Sequence, residues 1–163
     1  MLKLAKRNLT KVKLPAGLEL KKWLEKTLEV LGEGDLKGEL DLDFVEPEEI
    51  RKLNREFRGQ DKVTDVLSFS FLEEQDFPKD NLVGQIFLEP LTAKKQAEEH
   101  GVSWKDEMEF LFVHALLHVF GYDHEEEKDF NEMYALQARI MPGPKWVNFV
   151  EQIRQESFGG RGV

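Results

Sequence analysis

Residues 114–124 read His114-Ala-Leu-Leu-His118-Val-Phe-Gly121-Tyr-Asp-His124 and hold three of the chain's four histidines. An α-helix advances about 100° per residue, so His114 and His118 share one face, one turn apart. Gly121 offers the left-handed conformation that ends a helix, and the chain can turn there to bring His124 back to the same point. Three imidazoles converging at ~2.0–2.1 Å on one ion, with a fourth position left for water, make the arrangement of a catalytic zinc. An i,i+4 histidine pair alone is often only surface or core. The third histidine, at this offset past a helix-ending glycine, is what selects a metal site.

Working outward, the helix that carries the first two histidines starts at Ser103, a capping residue with Asp106 three positions on. It runs to Phe120, and Met108, Leu111, Phe112, Ala115, Leu116 and Val119 pack it into the core. Upstream, Pro90 opens a helix to about His100, with Gly101 as its stop; His100 is expected to sit there as a cation at the negative helix end. Leu82–Leu88 reads as a strand, with Gly84 allowing close approach of a neighbour. Residues 73–81 hold charges and a proline without periodicity and read as a loop. Val63–Leu72 is rich in β-branched and aromatic residues and is expected to be a central strand.

Toward the N-terminus, Pro47 opens a helix to about Phe57, with acids in its first turn. Arg51, Arg55 and Arg58 line one side of it. Glu39–Val45 alternates Leu40, Leu42 and Phe44 with Asp41 and Asp43, the mark of a half-buried strand. A helix spans about Leu18–Leu31 and stops at Gly32, and residues 2–9 form a first strand. Past the histidines, a helix covers about Glu126–Ile140. Pro142-Gly143-Pro144 breaks it, and residues 145–163 read as an appended short helix with a frayed Gly-rich tail. The fold class is α+β, a small mixed sheet of about four strands packed with about five helices. Residues 1–141 form one domain and 142–163 a C-terminal extension.

Helix, glycine stop and third histidine repeat the spacing of the metzincin proteases, H-E-x-x-H-x-x-G-x-x-H. Ala115 stands where those enzymes carry the glutamate that serves as general base. The ligand spacing is present and the peptidase base is not.

Composition sets the outer limits. A chain of 163 residues with 40% hydrophobic and 34% charged content is globular and long enough to bury one core. It has no cysteine, which excludes disulfides and thiolate metal sites. Residues 1–10 lack the apolar block of a signal peptide, and the run Phe110–Tyr122 is too short to span a bilayer. The expectation is a cytoplasmic protein without a membrane partner. Net charge is −9, but residues 51–62 hold five basic side chains (Arg51, Lys52, Arg55, Arg58, Lys62) against Glu56 and Asp61. A local basic face on an acidic protein can still bind phosphates. Arg51, Arg55, Arg58 and Lys62 are therefore candidate RNA contacts.

The segment Asn54-Arg-Glu-Phe-Arg58-Gly-Gln-Asp61-Lys-Val-Thr64-Asp65-Val-Leu-Ser68-Phe69, followed by His114 through His124, resembles the YbeY family of bacterial rRNA maturation factors. The resemblance covers about residues 1–141. It implies a single-strand-specific, metal-dependent endoribonuclease with zinc held by His114, His118 and His124. It further implies action on the 3′ end of small-subunit rRNA, ribosome quality control, and the ribosomal small subunit as partner. By the same resemblance Arg58 matches the family's functional arginine beside the metal. The chain departs from the family pattern at Val63 and Ser70, where prolines are usual, at Gln85, where an Asp is common, and at Ala115, where a Gly is common.

The chemistry of the residues agrees. One zinc per chain, with an open position, lowers the pKa of bound water to about 7 and polarises a phosphoryl oxygen. Other divalent transition metals suit three imidazoles as well. Arg58 can clamp a phosphate oxygen bidentately and stabilise charge on phosphorus. Without a base at position 115, Asp123 or Glu125 is left to take the proton. Thr64 and Asp65 read as organisers of the turn into the strand. Two other readings stay open: a metzincin-like peptidase, and a non-catalytic RNA-docking assembly protein with a structural metal. The oligomeric state cannot be read from these residues.

Overall fold

The computed structural model describes residues 2–73 and 81–158; most of the loop expected at 73–81, and the tail 159–163, lie outside the described residues. The elements follow as β1 (Leu2–Asn8), α1 (Leu20–Leu31), β2 (Gly38–Phe44), α2 (Pro47–Arg58), β3 (Val66–Ser70) and β4 (Leu82–Leu88). Four helices complete the chain: α3 (Pro90–His100), α4 (Trp104–Val119), α5 (Glu127–Ile140) and α6 (Pro144–Phe158). The fold is α+β. The chain divides into two compact units, Met1–Gly121 and Tyr122–Val163.

In the first unit the four strands form one mixed sheet in the order β1-β2-β4-β3. The β1–β2 and β2–β4 pairs are parallel, and β3 runs antiparallel to β4 with Ser68 opposite Ile86. The expected central strand at 63–72 is corrected here: β3 is shorter and lies at the sheet edge. Its apolar composition has a different cause, because both of its faces are covered. Val66 packs into the main core, while Leu67 joins Val45 and Ile50 in a second cluster with Leu53, Phe69 and Phe87. An edge strand sandwiched in this way carries the residues of a central one.

The main core joins Leu20, Leu24 and Leu28 of α1 to Leu40, Leu42 and Phe44 of β2, Ile86 and Leu88 of β4, and one side of α4. The spacing of these leucines in α1 is helical and that in β2 alternates, so each element turns one apolar face to the same interior. Asp43, on the other face of β2, is also buried and is held bidentately by Arg7, with Nε to Oδ1 at 3.0 Å and Nη2 to Oδ2 at 2.9 Å. Fully burying each leucine contributes about 1.5–3 kcal/mol before the entropy of ordering it is subtracted.

In the second unit α6 is tied to α5 by Arg154, whose guanidinium lies 4.7 Å from the centre of the Phe130 ring, bonds to Asn131 and pairs with Glu127 at 3.6 Å.

Candidate metal centre

Helix α4 begins as its sequence dictates: the Ser103 hydroxyl accepts the Asp106 amide at 3.0 Å, with Asp106 and Glu107 in the first turn. From Glu107 to Leu117 every side chain except His114 is buried. A helix covered on all sides does not adjust its register easily, so its few polar side chains are held in fixed directions. The helix ends at Val119–Phe120, where the Gly121 amide donates to the His118 carbonyl at 3.0 Å and Gly121 takes a φ of +98°. That left-handed conformation turns the chain toward His124.

His114 and His118 bring their Nε2 atoms to 3.0 Å, with ring planes 78° apart. A ring nitrogen from each of His114, His118 and His124 lies within 4.8 Å of the others. Two ligands at ~2.0–2.1 Å in tetrahedral geometry stand about 3.3 Å apart, so the observed 3.0 Å is close to that of a chelating pair. A purely imidazole donor set suits zinc and several other transition metals. Among the described residues no other group of three His, Cys, Asp or Glu side chains converges in this way.

The position that would carry a peptidase base faces away from this chemistry. Ala115 is fully buried in the main core, where a glutamate would place an uncompensated carboxylate among hydrocarbon. The close approach expected at Gly84 is present: a Cβ there would meet Val119 Cγ1 at 2.8 Å and the Phe69 carbonyl oxygen at 3.0 Å. Gly84 thus lets α4 seat on β4 one residue beyond His118.

The basic helix α2 divides its three arginines. Arg51 Nε lies 3.0 Å from Asp61 Oδ1 and Arg55 Nη1 lies 3.4 Å from the same atom. Arg51 first, then Arg55, hold the Asp61 carboxyl below the usual range. Arg58 pairs with no carboxylate among the described residues. Instead its Nη2 donates to the Ser68 carbonyl at 2.8 Å, and its guanidinium lies 4.7 Å from the centre of the Phe69 ring. Lys62 is exposed, and its carbonyl accepts the Asn54 side chain at 3.0 Å. Asp123 is exposed, next to His124 in the chain, and makes no hydrogen bond among the described residues.

Three other positions fill in the surroundings. The Thr64 hydroxyl donates to Asp65 Oδ1 at 3.3 Å, and the Asp65 carbonyl accepts the Glu89 amide at 2.8 Å, which ties the entry of β3 to the start of α3. The Gln85 amide donates to the Ile86 carbonyl at 3.1 Å and reaches Asp43 Oδ2 at 3.5 Å, so this position supplies a neutral donor to a neighbouring carboxylate. His100 ends α3 as expected, but it faces more than the helix end: its Nδ1 lies 2.8 Å from the buried Glu107 carboxylate. Sequence reasoning missed the aromatic company of Arg58. The ring beside Arg58 is Phe69, eleven residues on in the edge strand, and no local spacing in the sequence links the two.

The sequence model of a family described as "Endoribonuclease YbeY" matches residues 6–143. A curated relative of that name from Staphylococcus carnosus is 42% identical over 110 residues, covering 64% of this chain and 71% of the relative. Another, from Bacillus cytotoxicus, is 38% identical over 132 residues, covering 75% of this chain and 82% of the relative. Among solved structures, the solution structure of a Thermotoga maritima protein aligns over 98% of this chain and 99% of its own, with TM-score 0.53 and 25% identity. With the match running through the basic helix, the edge strand and all three converging histidines, this chain belongs to the YbeY family.

Proposed function

We propose that this protein is a metal-dependent, single-strand-specific endoribonuclease that acts in rRNA maturation, at the 3′ end of small-subunit rRNA, and in ribosome quality control. The observation that carries the reading is the convergence of His114, His118 and His124 in a chain of this family. These three residues would hold one ion, zinc or another divalent transition metal, through neutral ring nitrogens. The ion, when bound, supplies Lewis acidity toward a phosphoryl oxygen and toward water.

The chain's own side chains do the rest. Arg58 gives one N–H to Ser68, which fixes the guanidinium plane, and keeps others of its five donors for a non-bridging phosphate oxygen. Held there, it stabilises negative charge as it grows on phosphorus. Arg51, Arg55 and Lys62 add positive potential along the same helix and its exit, with Arg51 and Arg55 anchored by Asp61. Asp123 is the candidate to accept a proton, by its place beside His124. The catalytic domain is taken as residues 1–141, with 142–163 as an extension. No helix among the described residues is long and apolar enough to cross a membrane. We place the protein in the cytoplasm, with the ribosomal small subunit as partner.

The test is metal analysis of the purified protein beside His118→Ala, with cleavage of single-stranded and duplex RNA assayed on both. The expected result is one metal per chain, cleavage of single strands only, and loss of metal and cleavage together in a folded variant. RNA binding without cleavage by the metal-loaded protein would instead make it an RNA-docking protein. Digestion of peptides with RNA left intact would make it a peptidase, against the packing of Ala115.

A further inference from the structure

The buried stripe of α2 runs Ile50, Leu53, Asn54, Phe57, the i, i+3, i+4, i+7 positions of one helix face. Burial falls away along it. Ile50 is fully covered, Leu53 half-buried and Asn54 4% exposed, whereas Phe57 is 58% exposed. The Phe57 ring touches Phe69 of the edge strand in a T-shaped contact, with centroids 5.4 Å apart and planes at 73°. A T-shaped pair covers at most one face of each ring, so at least one face of Phe57 stays open to solvent. Phe69 is itself backed by Phe87 at 6.0 Å and by the Arg58 guanidinium at 4.7 Å. The result is a braced aromatic shelf with a cation attached. Phe57 and Arg58 are adjacent in the chain, at the last turn of the helix.

We propose that Phe57 is a stacking platform for an unpaired base of the RNA, placed to hold the nucleotide whose phosphate Arg58 receives. The proposal deepens the endoribonuclease reading and rests on it. An exposed apolar ring, next in the chain to Arg58 and braced on the Phe69 ring that Arg58 covers, suits a ligand with a flat π-face and a negative backbone, which is the chemistry of single-stranded nucleic acid. A paired base has its faces occupied by its neighbours in the helix, so the shelf also supplies a physical reason for preferring single strands. The Arg58 cation on the shelf disfavours an apolar peptide at this place.

The experiment compares the full-length, metal-loaded protein with Phe57→Leu and Phe57→Tyr on a short single-stranded RNA, and on a series of that RNA with one nucleotide at a time made abasic. Leucine retains apolar bulk but not the flat face; tyrosine retains both. Phe57→Leu is expected to raise KM roughly tenfold, the order that loss of one aromatic stack brings, while Phe57→Tyr keeps the wild-type value. One abasic position is expected to abolish the difference between wild type and Phe57→Leu. RNA carrying 5-iodouridine at that position is expected to photocrosslink to Phe57. Equal KM for wild type and Phe57→Leu, equal loss in both variants, or a ratio unchanged along the abasic series would overturn the platform while leaving the nuclease reading intact. A wild-type protein that neither binds nor cleaves RNA would overturn both.

Discussion

Val119 seats its two γ-methyl groups on the bare backbone of Gly84, so closely that a Cβ at position 84 would stand 2.8 Å from one of them and 3.1 Å from the other. That contact sets how near α4 lies to the sheet, and His118 is the residue before Val119. Gly84→Ala is therefore expected to cost about 1–3 kcal/mol, the usual penalty for overpacking a filled core. It is also expected to weaken metal binding by tilting the helix. Val119→Ala in the same chain should restore part of both. A double-mutant cycle on thermal unfolding and metal affinity reads the coupling, and strict additivity would show that the two residues do not meet.

Metal should stabilise this fold through the three histidines. A ligand that binds only the folded state at a hundred times its Kd adds about 2.7 kcal/mol. In a domain of this size each kcal/mol moves Tm by roughly 2–4 °C. Zinc added to chelator-stripped protein is thus expected to raise Tm by about 5–10 °C, and to leave Tm unmoved in His114→Ala. The same rise in the variant would place the ion elsewhere.

Much of this arrangement is legible in the sequence because local signals and burial agree. Pro47 and Pro90 open helices, Gly32 and Gly101 close them with positive φ, and the leucines of α1 and β2 follow the helical and strand periods. The misreadings have one physical root. Composition reports whether a residue is covered, not what covers it. Val66–Ser70 looks central because α4 and α2 lie on its two faces, although among the described residues β4 is its one strand neighbour. Asp43 looks solvent-facing by alternation, yet it is buried under Arg7, whose chain lies 36 residues away. Arg51, Arg55 and Arg58 look equivalent by spacing until Asp61 engages the first two.

That division of the arginines has a consequence for catalysis. Arg58 is exposed, and among the described residues substituting it disturbs one hydrogen bond and one ring contact. Arg58→Ala is expected to cut cleavage by about 10²–10³-fold, the scale for removing a transition-state donor. Its unfolding free energy should change by less than about 1 kcal/mol. Arg58→Lys should recover little, since an ammonium lacks the planar fork. Arg51→Ala should mainly weaken RNA binding. Parallel measurements of kcat, KM and Tm separate these outcomes, and loss of stability in step with activity would remove Arg58 from the chemistry.

The second face of β2 carries an electrostatic conflict that should appear as a pH dependence of stability. Burial, reinforced by the neighbouring Glu39 carboxyl, pushes the Asp41 carboxyl up from 3.8 to about 6. Asp41 Oδ1 is buried without a hydrogen-bond partner, while Arg7 is committed bidentately to Asp43. The folded state therefore holds a proton that the unfolded chain releases at lower pH. Such a group favours folding most below about pH 4, and the advantage is lost as pH rises through about 6. Above that range the ionised carboxylate is a standing penalty. Asp41→Asn keeps the shape and removes the titration. The variant is expected to gain stability relative to wild type as pH rises from 4 to 7, and then to keep a constant advantage. Denaturant unfolding of both proteins across that interval reads it directly, and parallel pH profiles would mean that Asp41 ionises in the folded protein as freely as in the unfolded chain.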